Sequence, residues 1–203
     1  DWILADYAVM LAGGATTTVY PSTGDTDVAY ILGDSNTRYV FAEDASQVEK
    51  IAAHRADLNV EKVIIFDGQG DGDWVITMDE LRGLGESYLK DNPDSVTKVA
   101  QAVKSDSLAT LIYTSGTTGK PKGVELTHSN WTYEGAFVES VNILTIDDVQ
   151  FLWLPLAHSF GKVLMSLQLQ VGFVTAVDGR VPKIVENLPV VQPTFMAAVP
   201  RIF

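Results

Sequence analysis

Short apolar runs recur along the chain at residues 17–20, 38–41, 62–66, 108–113, 149–154, 173–177 and 194–199. Several are apolar throughout rather than alternating, as in Val63-Ile64-Ile65-Phe66 and Leu108-Ala109-Thr110-Leu111-Ile112. A strand that is apolar at consecutive positions has both faces covered, which is the pattern of parallel strands between helices. Between these runs, apolar residues return at helical spacing: Tyr133, Phe137, Val141 and Leu144, then Phe160, Val163, Leu164, Leu167 and Val171. Asp44 followed by Gln47 predicts a capping box ahead of Val48, Ile51, Ala52 and Leu58. Strand–helix alternation of this kind predicts an α/β fold, with a mostly parallel sheet, flanking helices and right-handed crossovers.

The chain has 203 residues, enough to bury a sizeable core in one or two domains. Asp1 leads straight into an apolar helical pattern, and residues 196–203 are apolar rather than a polar tail. The expectation is a segment of a longer protein. The formal net charge is −12, with −11 of it in residues 1–100 and −1 in residues 101–203. That balance excludes general nucleic-acid binding, which needs a basic footprint. An anionic ligand sits more easily in the second half, although a Debye length of ~10 Å at 0.1 M salt makes local groups decisive.

There is no cysteine, so disulfides, thiol catalysis and zinc–thiolate sites are excluded. His54, His128 and His158 are too widely spaced to form a zinc-ligand pattern. The opening residues lack a basic targeting region. The longest apolar stretch, residues 151–177, is broken by Pro155, His158, Lys162, Gln168 and Gln170. A membrane span needs roughly 20 apolar residues with few charges, so this stretch reads as buried core. The expected location is cytoplasmic, with membrane contact at most peripheral; nothing in the pattern specifies an oligomeric state.

The strongest chemical signal is Tyr113-Thr114-Ser115-Gly116-Thr117-Thr118-Gly119-Lys120-Pro121-Lys122-Gly123-Val124, directly after a buried strand. Its glycines permit close backbone approach, and its four hydroxyls, exposed amides and two lysines suit phosphate oxygens. A flexible linker is the plain alternative, but a linker seldom leaves a buried strand with lysines at set places. A Walker loop fails at two positions: Thr114 stands where glycine is needed, and Pro121 where Ser or Thr is needed.

At these residues the chain resembles the adenylate-forming superfamily of acyl-CoA synthetases, luciferases and peptide-synthetase adenylation domains. All nine positions 114–122 fit that family's phosphate-loop signature. Further resemblances are Leu154-Pro155-Leu156-Ala157-His158-Ser159-Phe160-Gly161, Ala198-Val199-Pro200-Arg201-Ile202-Phe203, and the opening Asp1-Trp2-Ile3-Leu4-Ala5-Asp6. Their wording is most similar to bacterial long-chain fatty-acid–CoA ligases, and the resemblance covers essentially the whole chain. It implies Rossmann-like layers and part of a large AMP-binding domain. Residues 1 to roughly 105 would be a first α/β part, and residues 106–203 a phosphate-loop and acyl-site part.

The resemblance also implies a reaction, in which a fatty-acid carboxylate and ATP form an acyl-adenylate that coenzyme A converts to acyl-CoA. Thr114, Ser115, Gly116, Thr117, Thr118, Gly119, Lys120 and Lys122 would hold the pyrophosphate portion of ATP. Thr114 would also supply a hydroxyl ligand or near-ligand to Mg²⁺, which prefers hard oxygens. Lys122 and His158 would act directly in catalysis, His158 beside the carboxylate and the α-phosphate. Spacing alone leaves His158 equally a histidine packed at a strand–helix junction. The family's later Tyr-Gly-x-Thr-Glu-like segment, ribose-binding Asp and C-terminal domain are not found in these residues. The segment alone is therefore expected to be incomplete and inactive. A non-catalytic partial nucleotide-binding module, and an aryl- or amino-acid-adenylating enzyme, remain the alternatives.

Other features read as structural. His128 and Asn130 start the helix after the loop and suit capping, and His54 is expected to be solvated in a charged helix. Residues 67–73, Asp-Gly-Gln-Gly-Asp-Gly-Asp, fail the EF-hand pattern because Gln69 and Met78 stand at ligand positions. They are expected to form a solvated acidic turn. No Gly-x-Ser-x-Gly elbow supports a serine hydrolase.

Overall fold

Eight α-helices and eight strands run along the described residues, alternating except within 62–77, 78–102 and 108–127, where two elements of one kind follow each other, and the chain divides into two compact units, Asp1–Glu125 and Leu126–Phe203. The computed structural model describes residues 1–114 and 119–200. The unit boundary falls later than the division near residue 105 drawn from the sequence, so the strand that carries the glycine–threonine loop stays with the first unit.

The first unit runs α1 (Trp2–Leu11), β1 (Thr16–Thr18), α2 (Asp25–Asp34), β2 (Tyr39–Asp44), α3 (Ala45–Ala52), β3 (Lys62–Asp67) and β4 (Val75–Thr77). It continues with α4 (Met78–Asp91), α5 (Ser95–Ala102), β5 (Leu108–Thr114) and β6 (Lys122–Thr127), the last of which crosses the boundary. β2, β3 and β4 form an all-parallel sheet with β3 in the middle. Val63, Ile64 and Ile65 of β3 are all buried, so consecutive positions face apolar surroundings on both sides, as the contiguous run predicts. Val28 and Leu32 of α2 and Ile51 of α3 join Val63, Ile65, Trp74 and Val75 in one core. The Trp74 indole N–H reaches the Val60 carbonyl at 3.1 Å, so the large ring is buried without an orphaned donor.

β2 turns into α3 with no intervening loop because Asp44 caps it. Its Oδ1 accepts from the Ser46 and Gln47 amides at 2.9 and 3.2 Å. Only this forward half of the expected capping box forms; the Gln47 side chain turns to Ser46 and Lys50. The helix also ends at Ala52, short of Leu58. The full reciprocal box appears instead at α4, between Thr77 and Glu80. A second sheet places β5 between β1 and β6, with β1 and β5 parallel and in the register Thr16↔Thr110, Thr17↔Leu111, Thr18↔Ile112. Ala109 and Thr110 are fully buried, which makes β5 a rigid support for whatever leaves its end.

The second unit contains α6 (His128–Val141), β7 (Val149–Leu152), α7 (Ser159–Val171), β8 (Val174–Val177) and α8 (Ile184–Val191). β7 and β8 are parallel, joined through α7, which packs on α6. Phe151, Leu152, Leu164, Met165, Leu167 and Phe173 are buried. The expected strand at 194–199 does not form. Phe195 makes one parallel bridge to Gln150, packs edge-to-face on Phe173, and the Trp153 indole holds the Ala197 carbonyl at 3.0 Å. Backbone pairing is confined to residues 194 and 195, where the Thr194 amide reaches the Val149 carbonyl at 2.9 Å and the Phe151 amide reaches the Phe195 carbonyl at 3.2 Å, and side chains anchor the residues beyond. The α6 stripe also departs from expectation: Tyr133, Phe137 and Val141 are 68%, 54% and 50% exposed, because the side of α6 against α7 is the one that carries Gly135. Among the described residues no helix is long and apolar enough to cross a membrane.

Candidate active site

Both candidate chemical groups sit just beyond the carboxyl end of a buried parallel strand, the place where open α/β sheets bind ligands. In the first unit that strand is β5. Its last residue, Thr114, is exposed. Ser115, Gly116, Thr117 and Thr118 lie outside the described residues. The chain resumes at Gly119, whose φ of +133° is poorly open to any residue with a Cβ, although nothing lies within 4 Å of where that atom would be. Conformation rather than space calls for glycine there. Lys122 then opens β6 and is exposed.

Lys120 is placed differently from Lys122. Its ammonium lies 4.8 Å from the centre of the Tyr30 ring. Tyr30 in turn meets Tyr113 edge-on, with ring centres 6.5 Å apart. The Tyr113 hydroxyl donates to Asp34 Oδ2 at 2.6 Å. Burial, and next the bond to Asp34, push the Tyr113 hydroxyl well above the ordinary tyrosine range. It therefore stays a protonated donor. Sequence reasoning missed Tyr30 and Asp34. They lie on α2, with Asp34 79 residues away from Tyr113, and no local pattern signals that pairing.

In the second unit β7 leads through residues 153–157 to His158, the N-cap of α7. His158 has extended backbone angles, and its Nδ1 accepts from the Phe160 amide at 3.2 Å. With Nδ1 used as an acceptor, the neutral ring carries its proton on Nε2. The exposed imidazole is thus a donor fixed at a helix N-terminus. The turn is tight: the His158 amide reaches the Pro155 carbonyl at 3.1 Å, and a Cβ on Gly161 would collide with that same carbonyl oxygen. Gly161 is thus a requirement of the histidine's placement, which its position in the Leu154–Gly161 motif hinted at. Lys162, one turn on, is buried with its ammonium 5.5 Å from the Trp131 ring centre.

Residues read as structural behave largely so. Asn130 Oδ1 accepts from the Thr127 amide at 2.8 Å, so Asn130 helps cap α6 and Thr127 is the N-cap. His54 is not solvated in a helix: it follows α3, its Nε2 is buried, and Asp25 Oδ2 lies 3.9 Å away. In the acidic turn, Asp71 Oδ1 accepts from the Asp73 and Val75 amides at 2.8 and 2.9 Å. Those bonds depress its carboxyl below the usual range. Among the described residues no group of His, Asp and Glu side chains is arranged to hold a metal.

The parallel strands and flanking helices define an α/β protein, with the residue 114–122 motif directly after strand β5. The AMP-binding enzyme family model matches residues 1–203, and the chain belongs to that family. It is 31% identical over 210 residues to the long-chain-fatty-acid–CoA ligase FadD15 of Mycobacterium bovis, covering 100% of this chain and 33% of that protein. It is 28% identical over 216 residues to fatty acyl-CoA synthetase A of Dictyostelium discoideum, covering 100% and 31%. The chain thus spans about a third of the length of these relatives. Its fold matches that of a long-chain-fatty-acid-CoA ligase (FadD1) from Archaeoglobus fulgidus, with a TM-score of 0.74 at 22% identity over 100% of this chain and 38% of that one. It also matches ATP-bound MatB from Rhodopseudomonas palustris, with a TM-score of 0.72 at 22% identity over 99% and 37%.

Proposed function

We propose that the protein carrying this chain is an ATP-dependent fatty-acid–CoA ligase. The observation that carries this reading is the Thr114–Lys122 signature springing from the buried parallel strand β5. Relatives named as long-chain-fatty-acid–CoA ligases, aligned over the full chain, support the substrate class.

In the first half-reaction a carboxylate oxygen attacks the α-phosphorus of ATP. A new P–O bond forms, the bond to the β-phosphate oxygen breaks, and pyrophosphate leaves. Residues 114–122 hold the β- and γ-phosphates, and Lys122 offsets charge that grows on the leaving group. The Nε2–H of His158 donates to an oxygen of the reacting carboxylate or α-phosphate. Mg²⁺, when bound, neutralises phosphate charge, with the Thr114 hydroxyl available to it. In the second half-reaction the thiol of coenzyme A attacks the acyl carbonyl and AMP leaves. With about two thirds of its relatives' length outside it, the 203-residue chain alone is expected to bind weakly and not turn over.

The test is carboxylate-dependent ATP–pyrophosphate exchange in the full-length protein, across acyl chains from short to long. Exchange with fatty acids supports the reading. Exchange confined to aryl or amino acids assigns a sibling activity, and no exchange with any carboxylate overturns it.

A further inference from the structure

Helix α2 touches the chain on both sides of the phosphate loop. On the outgoing side, Tyr113, the residue immediately before Thr114, donates its hydroxyl to Asp34 at 2.6 Å. On the returning side, the Lys120 ammonium lies 4.8 Å over the Tyr30 ring. Tyr30 and Asp34 are one helical turn apart and so share a face of α2. The two limbs also meet each other: a Cβ on Gly123 would come within 3.0 Å of Tyr113 Cζ, so the returning strand passes close against the hydroxyl end of that ring.

We propose that α2 is the positioning element of the phosphate loop, with Tyr30 seating Lys120 and Asp34 anchoring Tyr113. The proposal deepens the ligase reading and rests on it. A long lysine side chain that is free to rotate loses rotamer entropy when it engages a phosphate. A cation held on an aromatic face has already lost part of that freedom, and the ring does not consume its hydrogen-bond donors. Tyr30 therefore prepares the loop for nucleotide without touching it, and its loss weakens capture of ATP more than the chemical step.

In the full-length protein, ATP–pyrophosphate exchange is measured for Tyr30→Leu, Tyr30→Phe, Lys120→Met and the Tyr30→Leu/Lys120→Met pair. An exposed cation–π contact translates into about a two- to five-fold rise in KM for ATP with kcat nearly unchanged. Tyr30→Leu shows that rise, Lys120→Met, which also loses the charged contact to phosphate, shows a larger one, the pair shows no more than Lys120→Met alone, and Tyr30→Phe, which keeps the ring, restores the parent value. Effects that multiply in the pair, or an unchanged KM in Lys120→Met, overturn the proposal. Lys120→Met alters an exposed residue and keeps the test informative if Tyr30→Leu fails to fold. A separate readout is the ε-methylene resonance of Lys120 in ¹³C-lysine-labelled protein, shifted upfield by the ring and relaxed in Tyr30→Leu. No exchange by the parent protein removes the ligase reading, whereas an unshifted ε-methylene removes the α2 proposal alone.

Discussion

The bond from the Phe160 amide to His158 Nδ1 joins two roles that a simple deletion would confuse. Alanine at 158 removes the cap, at a cost of about 1 kcal/mol, together with the Nε2 donor. Asparagine is a good N-cap but too short to reproduce that donor. His158→Asn is therefore expected to melt close to the parent protein and to lose adenylation by about a hundredfold, the usual cost of one oxyanion donor. If activity falls only as far as stability does, the histidine belongs to the packing of the strand–helix junction. Lys122 carries a simpler expectation. It is exposed at the start of β6, so Lys122→Ala should change stability by no more than about 0.5 kcal/mol while lowering adenylation about a hundredfold. A normal melting curve with an unchanged exchange rate would refute its role.

Caps, and not propensity alone, decide where several elements begin. Asp44 shows how such a cap depends on pH. Its carboxyl is held below the ordinary range, first by the Ser46 side chain and then by the Gln47 amide. A depressed carboxyl contributes stability above its unfolded value, near pH 4, and that contribution is lost as pH falls through the folded value. Asp44→Asn keeps a cap acceptor but no titration. Thermal melting from neutral pH downward should show the gap between parent and variant closing below about pH 4; a gap constant with pH would contradict this. These same elements show what the residues reveal in advance. β3 was legible because four consecutive apolar residues need two covered faces. The family was legible in residues 114–122 because Gly, Thr and Lys at those spacings have few other uses. Residues 194–199 misled because apolar composition does not fix pairing: Phe195 is half-buried against Phe173, and its pairing with β7 stops at a single bridge. The α6 stripe misled because helical spacing identifies a face but not what covers it. Tyr30 and Asp34 were invisible because their partners are distant in sequence.

Each unit has a core of its own, and this bears on how the chain opens. Ile65 lies in the cluster around β3, with α2, α3 and Trp74, whereas Phe151 lies among the buried apolar residues of β7 and α7. Truncating either leaves a cavity in one core only. The expected cost is about 2–5 kcal/mol for Ile65→Ala and about 3–5 kcal/mol for Phe151→Ala. Opening of a contiguous cooperative unit is felt by the amides inside it. Hydrogen exchange read by mass spectrometry should then separate the two variants. Ile65→Ala should speed exchange in β2, β3 and β4, and Phe151→Ala in β7, β8 and α7, each leaving the other set near its parent rate. Equal acceleration of both sets by either substitution would mean that the two compact units unfold as one, and that the supports of the phosphate loop and of His158 are energetically a single structure.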